Sequence, residues 1–170
     1  GVGLMFEAAI AGGIPAVKAL REGLAGHSVK RVSGILNGTC NYILTRMEKT
    51  GEPFEEVLAD AQKLGYAEAE PSLDVDGIDA AHKLTLLAAI AFAQTPQFDK
   101  VAISGIRDVS AVDFAYAAQL GFRIKLVGTA EPGRMPRMQT CLLPTSMQLA
   151  KVDGVLNAVA YDADPVGSIV

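Results

Sequence analysis

Residues 65–83 have the sequence Gly65-Tyr-Ala-Glu-Ala-Glu-Pro-Ser-Leu-Asp-Val-Asp-Gly-Ile-Asp-Ala-Ala-His-Lys83, and they join an acidic loop to a long apolar run. From Leu84 to Phe98 the chain carries no charged residue. A helix that is apolar on nearly every side is buried, so this run predicts a buried helix. The carboxylates that precede it, which we expect at the entrance to the core, are Glu68, Glu70, Asp74, Asp76 and Asp79.

Asp79 and Lys83 are four residues apart and therefore share one face of a helix. A pair of this kind on a solvated helix contributes only about 0.2–0.5 kcal/mol, and a surface pair is the simplest interpretation. The position beside crowded carboxylates at the head of a buried helix favours a functional site instead, because burial and like charges perturb pKa values. In that interpretation Lys83 exchanges a proton with a substrate oxygen, and the carboxylates hold an ammonium group. Such a site indicates a small zwitterionic substrate.

A metal-binding function of the acidic loop has less support from the sequence. Asp74-Val-Asp76-Gly77 matches part of a calcium-binding loop, but Lys83 stands where such a loop needs a bidentate glutamate. The two histidines, His27 and His82, have no Cys/His spacing that suits zinc. We therefore expect His82 to pack or to form hydrogen bonds beside the acids.

Asn37-Gly38-Thr39 separates a predicted strand from a predicted helix. Thr39 is a suitable N-cap, and the free backbone N–H groups of such a turn can hold an anion; a plain capped turn is the alternative. Cys40 and Cys141 are interpreted as small buried side chains, because no catalytic cysteine signature surrounds either one.

Composition limits the class of protein. The chain has 170 residues, of which 50% are apolar, and a net charge of −4; this is typical of one globular domain. Two cysteines fit a reducing compartment, and we expect a cytoplasmic protein. The sequence lacks a cluster of Lys and Arg residues of the kind that binds nucleic acid, so we do not expect nucleic-acid binding. The longest uncharged run is too short for a membrane span and contains Pro96.

Secondary-structure patterns are mixed in the first half of the chain and rich in strands in the second half. This order predicts an α+β fold, with a mixed, mostly antiparallel sheet and helices packed on one face. Residues 7–15 are predicted as a short strand or turn that ends in a glycine pair. The other predicted helices are 16–25, 40–49, 54–64 and 108–120, and the predicted strands are 28–36, 100–106, 122–129, 137–143, 154–161 and 166–170.

Four blocks of sequence together resemble the homoserine dehydrogenase family. The match covers nearly the whole chain and keeps the blocks in order. The blocks are the 65–84 stretch, Phe6-Glu-Ala-Ala-Ile-Ala-Gly-Gly-Ile-Pro15, Gly34-Ile-Leu-Asn-Gly-Thr-Cys-Asn-Tyr-Ile43 and Ala150-Lys-Val-Asp-Gly-Val-Leu-Asn-Ala-Val159.

The resemblance implies a reversible oxidation of L-homoserine to L-aspartate 4-semialdehyde with NAD or NADP, in the synthesis of threonine, methionine and isoleucine. It implies that Lys83 is the proton donor to the aldehyde oxygen and that Gly65 lies against the cofactor. It also implies a sodium site, formed largely by backbone oxygens, at Glu7, Ile10, Gly12 and Ile14. The residues implied in substrate binding are Glu68 and Asp79, with Thr39 and Asp74 beside them.

The domain organisation follows from the same resemblance. In the family a nucleotide-binding domain precedes the position of Glu7, and the chain returns to that domain beyond the position of Val170. We therefore expect residues 1–170 to be an excised catalytic domain, without the N-terminal Rossmann domain and the C-terminal return segment. Such a chain is expected to form a homodimer through its sheet and to have little or no activity alone. The alternative is a structural dimerisation module that binds no substrate.

Overall fold

A computed structural model describes residues 3–170. In this range the α-helices are α1 (Ala8–Ala11), α2 (Ala16–Lys18), α3 (Gly38–Thr50), α4 (Phe54–Lys63), α5 (Ser72–Val75), α6 (Ile78–Ala91) and α7 (Ala111–Gln119). The strands are β1 (Ser28–Ile35), β2 (Ala102–Ile103), β3 (Phe122–Ala130), β4 (Arg137–Pro144), β5 (Ala158–Asp164) and β6 (Gly167–Ile169). A π-helical turn continues α2 at Ala19–Gly23, and 3-10 turns lie at Phe98–Lys100 and Leu149–Lys151.

The strands form one six-stranded sheet in the order β2-β4-β3-β1-β5-β6. Between residues 3 and 170, β2 and β4 form the one parallel pair, and the other neighbouring strands are antiparallel. Helices α3, α6 and α7 pack against β3, and α6 also contacts β1 and β4. This architecture confirms the predicted α+β fold with a mixed, mostly antiparallel sheet and helices on one face.

The helix α6 lies close to the sheet because β3 offers a glycine at the crossing point. A Cβ atom on Gly128 would come within 3.2 Å of a Leu84 methyl carbon and 2.6 Å of the Met138 methyl. Both side chains are fully buried. Residues on the opposite face of the sheet form a second apolar cluster around Ile35, Val127 and the 3-10 turn that contains Leu149. The main core therefore lies between the sheet and the helices.

Several predicted boundaries were wrong. Residues 8–11 form the helix α1 instead of a strand or turn, and the predicted helix 16–25 is one α-turn followed by the π-turn. The buried helix ends at Ala91, where Ala93 soon adopts a left-handed backbone with a φ of 48°, and Pro96 has no N–H with which to continue the helix. The predicted strand 154–161 begins only at Ala158, because side chains of α3 and β3 hold the carbonyls of Val152 and Leu156.

The predicted strand 100–106 is reduced to two residues by contact with α5. The backbone of Ile106 donates to the Val75 carbonyl at 2.8 Å, so the chain leaves β4 and turns towards α5. Gly105 makes this approach possible, because a Cβ atom there would lie 2.1 Å from the Val75 oxygen.

Gly105→Ala is expected to lower the free energy of unfolding by at least about 1–3 kcal/mol, because backbone must move to admit the methyl group. Gly23→Ala is the matched control, since a Cβ atom at Gly23 meets nothing within 4 Å. Urea denaturation measures both variants. Equal midpoints for the two alanine variants would contradict the close packing of this loop on α5.

Within residues 3–170, no helix has both the length and the apolar character needed to cross a membrane.

Candidate active site

The side chains of Asp79 and Lys83 meet at the first turns of α6. The Lys83 Nζ donates to Asp79 Oδ2 at 2.7 Å and to the Leu36 carbonyl, at the end of β1, at 3.0 Å. The Lys83 side chain is 24% exposed and that of Asp79 is 34% exposed. The helix buries Ala80, Ala81 and Leu84 on its other side. The pair thus lies at the rim of the core, within reach of a small ligand and partly withdrawn from water.

Asn37 connects this pair to a second carboxylate. Its Nδ2 donates to Asp74 Oδ1 at 2.7 Å and to Asp79 Oδ2 at 2.9 Å, while its Oδ1 accepts from the Cys40 backbone at 2.8 Å. Asn37 is therefore the N-cap of α3, and the prediction that Thr39 is the cap was wrong. Sequence reasoning placed Asn37 in this turn but did not identify it as the cap, although asparagine in extended backbone just before a helix is among the strongest N-cap signals.

Thr39 instead contacts the loop that carries Gly65 and Glu68. Its hydroxyl donates to the Tyr66 carbonyl at 2.7 Å. The Gln62 side chain donates to the Glu68 carbonyl at 2.9 Å, and the Glu68 side chain itself is exposed. Gly65 has a φ of 78°, a conformation that favours glycine, and is also exposed. Two anchors therefore fix this loop beside the site, but Glu68 does not belong to the hydrogen-bond network of Asp79.

The remaining carboxylates of the acidic loop have other partners. Asp76 forms an ion pair with Arg107, and Glu70 accepts hydrogen bonds from Ser72. The side-chain hydrogen bond from Ser72 holds the pKa of Glu70 below its ordinary value. Of the five crowded acids, only Asp74 and Asp79 are thus joined to the lysine network.

Cys40 contacts the backbone of Asp74. Its thiol lies 3.0 Å from the Asp74 carbonyl and is fully buried. Burial, followed by the charges of Asp74 and Asp79, raises the pKa of Cys40 far above its ordinary value. The thiol therefore stays protonated and acts as a hydrogen-bond donor.

His82 packs edge-on against Phe98, with ring centroids 4.1 Å apart.

The four residues implied in sodium binding lie at the start of α1, within it and in the turn that follows it. The Glu7 carboxylate accepts from the backbones of Val17 at 2.6 Å and Lys18 at 2.9 Å, so it caps the next helical turn. Among residues 3–170, three or more His, Cys, Asp or Glu side chains do not gather in a metal-binding group. Any hard cation at Glu7, Ile10, Gly12 and Ile14 would therefore be held mainly by backbone oxygens, and the sodium site stays a prediction.

Comparison with known proteins gives consistent matches. A family model described as homoserine dehydrogenase matches residues 15–170. A homoserine dehydrogenase from Pseudomonas aeruginosa is 52% identical over 171 residues, which cover 99% of this chain and 39% of that protein. A crystal structure of a homoserine dehydrogenase from Thiobacillus denitrificans superimposes with a TM-score of 0.95 at 48% identity, over 97% of this chain and 39% of that one.

A hyperthermophilic archaeal homoserine dehydrogenase in complex with NADPH matches with a TM-score of 0.84 at 29% identity, over 99% of this chain and 48% of that one. The chain thus spans about two fifths of the length of the curated relatives it matches.

Proposed function

The chain belongs to the homoserine dehydrogenase family, and we propose that it carries the substrate site for the interconversion of L-homoserine and L-aspartate 4-semialdehyde with NAD or NADP. The observation that supports this most strongly is the Lys83 ammonium group, which lies between Asp79 Oδ2 and the Leu36 carbonyl. The proposed place of the reaction is threonine, methionine and isoleucine biosynthesis.

Lys83 has the geometry of a proton donor to the aldehyde oxygen. An ammonium group has three N–H donors, and two of them are used by Asp79 and Leu36. The third donor is available to a substrate oxygen. During reduction of the aldehyde, Lys83 gives this proton to the oxygen as the carbonyl carbon receives a hydride, and a hydroxyl group results. In the reverse direction, neutral Lys83 takes the hydroxyl proton. A bound nicotinamide cofactor supplies or accepts the hydride.

The carboxylates Glu68, Asp74 and Asp79 are proposed to bind the ammonium group of homoserine. Charge-assisted hydrogen bonds of this kind are stronger than neutral ones. Thr39 contributes by fixing the Tyr66 carbonyl, and with it the loop that carries Glu68. Gly65 lies at the exposed start of the same loop, where the lack of a side chain would allow a nicotinamide cofactor to approach.

Two further proposals concern the whole chain. Residues 1–170 are proposed to form the catalytic and dimerisation domain of a larger enzyme, with most of the cofactor bound by another domain and sodium bound near Glu7. A homodimer is proposed through the face of the sheet opposite the helices, where Val127, Leu143 and Ala160 are buried against the 3-10 turn around Leu149. The second candidate function is a dimerisation module without substrate binding.

Calorimetric titration with L-homoserine, in buffer that contains sodium, separates the two candidates. We expect saturable binding to the chain, and no binding of 4-hydroxybutanoate, which lacks the ammonium group. Glu68→Gln is expected to weaken homoserine binding by about tenfold or more, as loss of a charged partner does. Glu70→Gln is the matched control and keeps its affinity, because that carboxylate already accepts from Ser72.

Turnover is measured in a chimaera in which residues 1–170 replace the matching segment of the Pseudomonas aeruginosa relative. If the chain folds and the chimaera assembles, but neither binds homoserine, the result would favour the dimerisation module.

A further inference from the structure

Asn37 lies at the centre of the candidate active site, between the end of β1 and the start of α3. It is only 6% exposed, and its side-chain amide forms three hydrogen bonds, which use both N–H donors and one acceptor position of the oxygen. The Cys40 N–H requires the oxygen of the amide on one side, and the two carboxylates require its nitrogen on the other. The partners thus determine the orientation of the amide.

These bonds leave two carboxylate oxygens available. The Asn37 amide uses Asp74 Oδ1 and Asp79 Oδ2, and Lys83 also uses Asp79 Oδ2. Among the hydrogen bonds of residues 3–170, Asp74 Oδ2 and Asp79 Oδ1 are not used. Two carboxylates that share a site repel one another, and a hydrogen-bond donor between them offsets part of this repulsion. The Asn37 amide is this donor, and it keeps both groups close while each retains one free oxygen.

We propose that Asn37 is a positioning residue, whose amide holds Asp74 and Asp79 as a pair so that their free oxygens receive the ammonium group of the substrate. The inference rests on the proposed function of the site. It assigns a task to a side chain that need not touch the substrate: without the amide, the carboxylates separate, and the ammonium group loses a partner.

Asn37→Ser tests this role without removing the helix cap. Serine is also a strong N-cap residue, so the melting temperature of the variant should stay close to that of the unsubstituted chain. Serine is too short to bridge the two carboxylates. We expect the affinity for L-homoserine, measured by calorimetry, to fall by about 10–100-fold, as expected for lost charge-assisted hydrogen bonds. In the chimaera, KM should rise by a similar factor, while kcat changes much less.

Asn41→Ser is the matched control, with the same substitution one turn further along α3. Asn41 donates to the carbonyls of Val152 and Leu156 instead of to the carboxylates. Its replacement should lower the melting temperature and leave homoserine affinity unchanged. Asn37→Ser should therefore change affinity but not melting temperature, and Asn41→Ser should change melting temperature but not affinity. A general loss of structure in α3 would not produce these opposite patterns.

A double-mutant cycle measures the connection to Asp74. If the amide acts through this carboxylate, Asn37→Ser should cost less affinity in an Asp74→Asn background than in the unsubstituted chain. Unchanged affinity in Asn37→Ser, or full additivity in the cycle, would overturn the positioning role and leave the proposed function intact. Failure of both the unsubstituted chain and the chimaera to bind homoserine would instead overturn the proposed function and this role with it.

Discussion

Lys83→Ala is expected to lower kcat of the chimaera by about 10²–10⁴-fold, the range that general acid catalysis contributes. The reason is the geometry of the Nζ, which has one donor free beside Asp79 and the Leu36 carbonyl. Alanine at this position leaves the developing alkoxide without a proton and leaves Asp79 without its cation. Because proton transfer acts in the transition state, kcat should fall much more than KM rises.

Two variants separate proton donation from charge. Lys83→Arg keeps a cation near Asp79, but a guanidinium group does not release its proton, so the activity should remain low. Lys63→Ala is the matched control, because Lys63 also pairs with an aspartate on its own helix but is 76% exposed. Turnover in Lys83→Ala within about twofold of the unsubstituted chimaera would show that Asp79 and Lys83 are only a surface pair, which contributes a few tenths of a kcal/mol.

Asp153→Ala is expected to lower the free energy of unfolding by about 3–5 kcal/mol, the usual cost of leaving a buried charge without its partner. The charge is that of Lys125, whose side chain is 0% exposed in the middle of β3. Its Nζ contacts Asp153 Oδ1 at 3.1 Å and the Val152 carbonyl at 2.6 Å. Asp153 also accepts from Arg123 at 2.8 Å. The carboxylate therefore compensates Lys125 and Arg123, and its Oδ2 also pairs with Lys49 at 3.3 Å.

Two variants test this interpretation in urea denaturation. Glu131→Ala breaks an ion pair with Arg134, whose side chain is 77% exposed, and should cost no more than about 1 kcal/mol. Lys125→Met in the Asp153→Ala background removes the buried charge itself and should recover much of the stability, since apolar replacement of a buried pair is often neutral. If Asp153→Ala costs no more than Glu131→Ala, the cluster contributes little to stability.

The pH dependence of the free energy of unfolding provides a second test of how much the Asp153 carboxylate stabilises the fold. Burial alone would raise its pKa, but the hydrogen bonds and charges of Lys125 and Arg123 outweigh burial and hold the pKa below its ordinary value. A carboxyl group with a lowered pKa in the folded state stabilises the fold at pH values above its unfolded pKa, about 3.9. This contribution is lost as the pH falls through the folded value. The unsubstituted chain should therefore lose stability below about pH 4 more steeply than Asp153→Ala.

The sequence predicted those features that depend on neighbours within a few residues. The apolar run after Lys83 predicted a buried helix, and the spacing of four residues placed Asp79 and Lys83 on one face, as the structure shows. Alternating strands late in the chain predicted the antiparallel part of the sheet. Boundaries failed where a distant group competes with local preference, as at Gly105, where contact with the Val75 carbonyl ends β2 early.

The arrangement of the site was decided by tertiary structure. Sequence showed five crowded carboxylates but not which of them share the lysine network. That selection depends on Asn37, which lies 37 residues from Asp74 and 42 from Asp79, and on the Leu36 carbonyl, 47 residues from Lys83. Local periodicity carries no information about such contacts. They form because a buried amide and a half-buried ammonium group must find hydrogen-bond partners, and the packing of α6 against β1 places those partners within reach.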